Sequence, residues 1–112
     1  MNAMEINENI KRGRFVKNNG RILRDINVLR TAFVPLADLY LGISADVKDN
    51  EYTDSINYLT EIGYIKLRNV HTKQESTLAD DNLSDLEAKL TADGIKFLAG
   101  KLNDDCVERY RL

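Results

Sequence analysis

Residues 52–97 carry the pattern that most restricts the fold, because a helix pattern is followed at once by two strand patterns and another helix. The buried stripe of the first helix repeats at helical spacing: Tyr52, Ile56, Leu59 and Ile62. Gly63 suits the left-handed conformation that commonly ends a helix. Alternation of apolar and polar residues predicts one strand over residues 64–70 and a returning strand over residues 86–90. The order predicts a β-hairpin joined directly to a helix.

Two helices are predicted before this stretch and one at its end. The stripe of the earliest helix is Ile22, Ile26, Leu29 and Phe33. Pro35 should end that helix and open a short one, which stops near Gly42. Asp49 or Asn50 is the predicted N-cap of the third helix, and Thr91 that of the closing helix. The chain is therefore predicted to be mainly α, with a small β-hairpin.

The two ends of the chain are predicted to lie outside the folded domain. Residues 1–19 should form a basic arm or a short helix, because Gly13 and the Asn-Asn-Gly run at 18–20 interrupt the helical pattern. Residues 20–102 then form one domain, which suits a chain of 112 residues. Residues 103–112 are predicted to be an extended tail.

Charge is distributed unevenly along the chain, although the net charge is only −2. Between Lys11 and Arg30 there are seven basic residues and one acidic residue, Asp25, which gives this segment a charge of +6. The rest of the chain must then carry −8. A basic segment on an acidic body can steer an anionic partner, or it can keep two faces soluble.

Nothing in the sequence points to catalysis, to a metal or to another cofactor. His71 is the only histidine and lies in a predicted loop, and Cys106 lies among acidic residues, which do not activate a thiol. The acidic run at 80–85 lacks the spacing of a calcium loop. No apolar run approaches the roughly 18 residues of a membrane span, so we expect a cytoplasmic protein. Because no catalytic motif is present, we also expect that it is not an enzyme.

Two motifs and the order of the elements resemble the winged-helix superfamily. Ile56-x-x-Leu59-x-x-x-Gly63-x-Ile65 resembles the end of its recognition helix. Leu90-Thr91-x-x-Gly94-x-x-x-Leu98 resembles its junction between a strand and the last helix. The resemblance covers residues 20–102 and implies a winged helix-turn-helix: three helices, a two-stranded wing and a closing helix. The chain is similar to small bacterial regulators of the ArsR and MarR kind, and to the small winged-helix proteins of Mu-like phages.

The resemblance implies a DNA-binding transcriptional regulator of phage or plasmid type, which we expect to be a homodimer. In such proteins the third helix enters the major groove of double-stranded DNA and the wing touches the backbone. The outward positions of the third helix would be Asn50, Thr53, Asn57, Thr60 and Tyr58. With the nearby cations, the candidate nucleic-acid-binding residues are Arg12, Arg14, Thr53, Asn57, Thr60, Lys66, Arg68 and Lys73.

The charge of the third helix favours a second hypothesis. It contains Asp49, Glu51, Asp54 and Glu61 and no lysine or arginine. Uncompensated carboxylates weaken binding to phosphates, whereas an acidic surface suits a basic protein partner. The alternative is therefore a protein-interaction or dimerisation module that does not bind DNA. Its candidate contacts are Asp54, Tyr58, Glu61, Val107 and Tyr110. DNA binding remains the leading hypothesis.

Overall fold

The computed structural model describes residues 2–109, which form four α-helices and one three-stranded antiparallel sheet. In chain order the elements are α1 (Ala3–Asn27), β1 (Val34–Pro35), α2 (Leu36–Leu41), α3 (Asp49–Glu61), β2 (Ile65–Asn69), β3 (Leu86–Leu90) and α4 (Ala92–Leu98). A 3₁₀ turn, Leu83–Asp85, leads into β3. The fold is therefore mixed, with helices and a small sheet. No helix within residues 2–109 is long and apolar enough to cross a membrane.

The predicted hairpin is confirmed, and the sheet has one strand more than predicted. Strand β2 pairs antiparallel with β3, with Ile65 opposite Leu90. Strand β1 pairs with the other edge of β3, with Val34 opposite Ala88. A two-residue strand is too short to show alternation, and the sequence pattern indicates only a helix start at Pro35. A proline is tolerated there because β1 is an edge strand and needs fewer N–H donors.

The predicted break near residue 20 is wrong, because α1 is continuous from Ala3 to Asn27. Residues 3–19 therefore belong to the same helix as residues 20–27. Gly20 is buried where the C-terminal segment, residues 103–109, crosses α1. A Cβ on Gly20 would lie 2.1 Å from the carbonyl oxygen of Glu108. This glycine allows a close approach between two segments and does not interrupt the helix.

The C-terminal end of α1 also differs from the prediction. The apolar stripe predicts a helix through Leu29 and Phe33, but the helix ends at Asn27 and Leu29 is 59% exposed. The chain must turn there because β1 has to reach the edge of β3. Phe33 consequently lies half-buried near the sheet rather than on a helix.

The core lies between the helices and the inner face of the sheet. Its fully buried side chains include Ile22, Leu23, Ile26, Leu36, Tyr52, Ile56, Leu59, Ile65, Leu86 and Phe97. The buried hydroxyl of Tyr52 donates to the carbonyl oxygen of Leu36 at 2.8 Å, so its polar atom is satisfied. The stripe predicted for α3 therefore forms its buried side, except that Ile62 is only partly buried.

Of the other predicted helix ends, three are confirmed and one is wrong. Gly42 is the C-cap of α2, Gly63 has φ +80°, and the Thr91 hydroxyl accepts from the backbone N–H of Gly94 at 3.1 Å. The N-cap of α3 is Lys48 and not Asp49 or Asn50. The Lys48 backbone N–H donates to Glu51 at 3.2 Å, so a carboxylate three residues later caps this end.

The C-terminal segment packs on α1, which corrects the prediction of an extended tail. Val107 is 4% exposed and belongs to the core, so its proposed role as a partner contact is wrong. The side-chain amide of Asn19 donates to the carbonyl oxygen of Cys106 at 2.8 Å. The backbone N–H of Glu108 donates to the carbonyl oxygen of Val16 at 3.1 Å. Tyr110, the other predicted tail contact, lies outside the described residues.

Candidate nucleic-acid interface

The outward side of α3 is polar and acidic. Asn50, Thr53, Asn57, Asp54 and Glu61 are exposed there, and Thr60 is half-buried. The hydroxyl of Thr53 donates to the carbonyl oxygen of Asp49 at 3.0 Å, and that of Thr60 to Ile56 at 2.7 Å. Both threonine protons are therefore used within the helix. Asn50 and Asn57 are left as exposed amides that can pair with a base edge.

Helix α1 lies against the start of α3, where Lys11 and Arg14 line a groove with Glu51 and Asp54. The guanidinium of Arg14 donates to the carboxylate of Glu51 at 2.5 Å. Arg12 is further out on α1, where it contacts Asn9 at 3.1 Å and Glu8 at 3.6 Å. Arg14 therefore offsets one acid of α3, while Arg12 contacts its own helix.

Tyr58 joins α3 to the C-terminal segment. Its hydroxyl donates to the carboxylate of Asp104 at 2.8 Å, and its ring meets the Phe15 ring edge-on with centroids 5.3 Å apart. Burial and the hydrogen bond to Asp104 raise the pKa of Tyr58 above its ordinary value. The side chain proposed as a partner contact is thus already engaged within the molecule.

Tyr58→Phe is expected to lower the free energy of unfolding by about 1.5 kcal/mol, because a hydrogen bond to a charged group is lost. The raised pKa means that the folded state holds the phenol proton more tightly. That stabilisation is present below pH 10 and is lost as pH rises through the folded pKa, so the variant should lose less stability at high pH. Urea unfolding across pH measures both effects. Tyr64→Phe is the control, and an equal loss there would contradict the prediction.

The outer face of the sheet carries a group of cations arranged around one aromatic ring. Lys66 on β2 lies directly opposite Lys89 on β3. The guanidinium carbon of Arg68 is 3.7 Å from the centroid of the Phe33 ring, and the Nζ atoms of Lys66 and Lys89 are each 5.9 Å from it. These distances are typical of cation–π contacts. We call this group the cationic sheet face: Phe33, Lys66, Arg68, Lys73 and Lys89.

Glu87 is the buried acid of this face. It is 5% exposed and accepts from Arg68 Nε at 2.5 Å and from Lys73 Nζ at 3.4 Å. Burial alone would raise the pKa of Glu87, but the hydrogen bonds and charges of Arg68 and Lys73 outweigh it, so the pKa is lowered. The carboxylate is therefore ionised at neutral pH and holds two of the four cations in place.

Lys66 and Lys89 have no such acid. Neither forms a salt bridge in the part of the chain that the structure describes. Like charges directly opposite each other on two strands destabilise a sheet, so this pair gains from any anion placed between them. A groove of about 410 Å³ beside the pair is lined by Phe33, Lys66, Leu67, Arg68, Lys73 and Glu75.

The predicted cations fall into two separate groups. Arg12 and Arg14 lie in the N-terminal half of α1, about 20 Å along the helix axis from its end at Asn27. Lys66 and Arg68 lie on β2 and Lys73 lies in the loop after it, and all three line one groove with Phe33. Sequence reasoning missed Phe33 and Lys89. The hairpin register could have revealed Lys89, because it alternates with the inward-facing Ala88 and Leu90.

The remaining polar residues with possible chemical roles lie apart from this face. His71 is 76% exposed, with its Nε2 atom 3.6 Å from Asp85, and Cys106 is half-buried. Within residues 2–109, no group of three or more His, Cys, Asp or Glu residues is placed to hold a metal ion. Comparison with protein-family models, with curated proteins and with solved structures gives no match.

Proposed function

We propose that this chain is a small winged-helix protein, a phage- or plasmid-type transcriptional regulator, that binds double-stranded DNA with its cationic sheet face against the phosphate backbone. The order α1-β1-α2-α3-β2-β3-α4, with a hairpin directly after the third helix, supports the winged-helix assignment. The observation that carries the binding proposal is Lys66 opposite Lys89 without an acid between them.

The charge distribution determines which surface approaches the duplex most closely. Cations that neutralise phosphates release condensed counterions, and this release dominates affinity for DNA. The sheet offers such cations, whereas the exposed Asp54 and Glu61 of α3 would repel phosphates. In this arrangement the β2–β3 hairpin, which is the wing, supplies most of the affinity for DNA. Asn57 on α3 then supplies a contact to a base edge, and sequence preference is modest.

A titration of a fluorescently labelled DNA duplex at low and high salt tests the proposal. The wild-type protein should bind at low salt and lose affinity steeply as salt rises. Lys66→Gln with Lys89→Gln should weaken binding about ten-fold or more, and should reduce the slope of log affinity against log salt by about two, one for each phosphate interaction that is removed.

The control is a double variant with the same change in net charge, Lys96→Gln with Lys101→Gln, at exposed positions on and just after α4. It should bind almost as well as the wild type. Equal weakening by both double variants would show that only net charge matters and would overturn the assignment of the sheet face. If no duplex binds even at low salt, the DNA proposal fails.

A protein-docking module is the second candidate, favoured by the exposed acids of α3. Asp49, Asp54 and Glu61 lie on a helix without lysine or arginine, which suits a basic partner. Asp54→Lys with Glu61→Lys separates the two candidates. On a DNA-binding protein the change should strengthen duplex binding. On a docking module the wild type should bind a labelled lysine-rich peptide, the variant should lose that binding, and the wild type should not bind duplex.

A further inference from the structure

Phe33 is an aromatic side chain on the outer face of the sheet rather than in the core. Among residues 2–109, the partly buried apolar side chains that pack against the core include its neighbour Val34 but not Phe33. The Phe33 side chain is half-buried, and cations lie over its ring: Arg68, Lys66 and Lys89. Packing of the core therefore does not explain an aromatic residue at this position.

Arg68 and Phe33 form a stacked pair that is held in place from below. The guanidinium carbon of Arg68 is 3.7 Å from the centroid of the Phe33 ring, so the planar guanidinium lies over the ring. The Nε atom of Arg68 donates to Glu87 at 2.5 Å, and Glu87 is 5% exposed. The buried carboxylate therefore positions the guanidinium before any ligand arrives. Because the Arg68 side chain is still 31% exposed, another flat group can stack on this pair.

Two lysines beside the stacked pair indicate the charge of the group that binds there. The Nζ atoms of Lys66 and Lys89 are each 5.9 Å from the centroid of the Phe33 ring, and neither lysine forms a salt bridge within residues 2–109. The adjoining groove of about 410 Å³ is within the range of roughly 300–1,000 Å³ that small-ligand sites occupy. A flat ring with anions close to it matches this surface. One nucleotide of a DNA strand has that chemistry, since its base lies between two phosphates.

We propose that the cationic sheet face also binds single-stranded DNA, with one unpaired base stacked on Arg68 and Phe33. Lys66 and Lys89 hold the phosphates on either side of that base. A duplex cannot make the stacking contact, because its bases are stacked on one another and present only their edges in the grooves. This inference rests on the proposed function for the position of the binding surface, and it extends that function from paired to unpaired strands.

A comparison of two labelled single strands at low salt tests the stacking contact in the wild-type protein. A short oligothymidylate should bind about ten-fold more tightly than an abasic strand of the same length, which has the same phosphates but no bases. Equal affinity for the two strands would overturn the inference, and binding of duplex in the same buffer would show that the proposed function survives. If the protein prefers the oligothymidylate but binds no duplex, the inference stands and the duplex proposal fails. If it binds neither strand nor duplex, both fail.

Substitutions at Phe33 test which side chain meets the base, with circular dichroism to confirm that each variant is folded. Phe33→Leu should bind oligothymidylate about ten-fold more weakly than the wild type and bind the abasic strand and duplex almost unchanged. Phe33→Tyr keeps an aromatic ring and should keep the preference for the strand with bases. Phe15→Leu is the matched control, since Phe15 is also half-buried and lines a different groove with Lys11 and Arg14. A preference that persists in folded Phe33→Leu, or an equal loss in Phe15→Leu, would overturn the inference.

Discussion

Gly20→Ala is expected to destabilise the fold by about 2 kcal/mol, although alanine favours a helix by about 1 kcal/mol over glycine. The added Cβ would lie 2.1 Å from the carbonyl oxygen and 2.9 Å from the carbonyl carbon of Glu108. The C-terminal segment must therefore move away from α1. It then loses the hydrogen bond from Glu108 to Val16 and the burial of Val107, together worth about 3 kcal/mol. Urea unfolding followed by circular dichroism measures the change.

Gly13→Ala is the matched control on the same helix. A Cβ at Gly13 meets nothing within 4 Å, so only the helix preference remains and the variant should gain up to about 1 kcal/mol. Val107→Ala in both backgrounds then tests the cause. It should destabilise the wild-type protein but change the Gly20→Ala protein little, because the segment there is already displaced. Additive effects, or a gain in stability at both glycines, would contradict the packing at Gly20.

The fold from α3 to α4 could be predicted because its signals are local. The helical spacing in α3, the left-handed Gly63, the alternation in two strands and the Thr91 cap each depend on residues close in sequence. Strand β1 and the continuity of α1 depend on distant residues. Val34 is a strand residue because Ala88 lies beside it, and Gly20 is needed because Glu108 crosses there. Contacts between residues so distant in sequence leave no periodic pattern from which they could be predicted.

The candidate interface could be predicted only in part, for the same reason. Lys66, Arg68 and Lys73 stand out as cations close together in sequence, and the structure brings them together on the sheet. Phe33 joins them through the turn after α1, where the sequence pattern predicts helix. Glu87 alternates with apolar residues as a solvated strand residue does, yet it is the buried acid of this face. The pairing of Lys66 with Lys89, and of Arg68 with the buried Glu87, is visible only once the register of β2 and β3 is known.

Glu87→Gln is expected to weaken the fold while strengthening anion binding. The carboxylate accepts from Arg68 and Lys73, so replacing it should lower the free energy of unfolding by about 2 kcal/mol. The same change removes one negative charge from the cationic sheet face and leaves Arg68 and Lys73 to bind phosphate. Affinity for duplex DNA at low salt should rise several-fold, because more cations are then free to neutralise phosphates. Urea unfolding and the DNA titration measure the two effects.

The pH dependence and a charge-matched control identify the cause. Because the folded pKa of Glu87 is lowered, its stabilisation is present above the ordinary pKa near 4.5 and is lost as pH falls through the lowered value. The free energy of unfolding of Glu87→Gln should therefore not show this loss as pH falls. Glu75→Gln, at an exposed acid lining the same groove, should strengthen DNA binding slightly without loss of stability. If Glu87→Gln leaves stability unchanged, or weakens DNA binding while the protein stays folded, Glu87 is not the acid that restrains these cations.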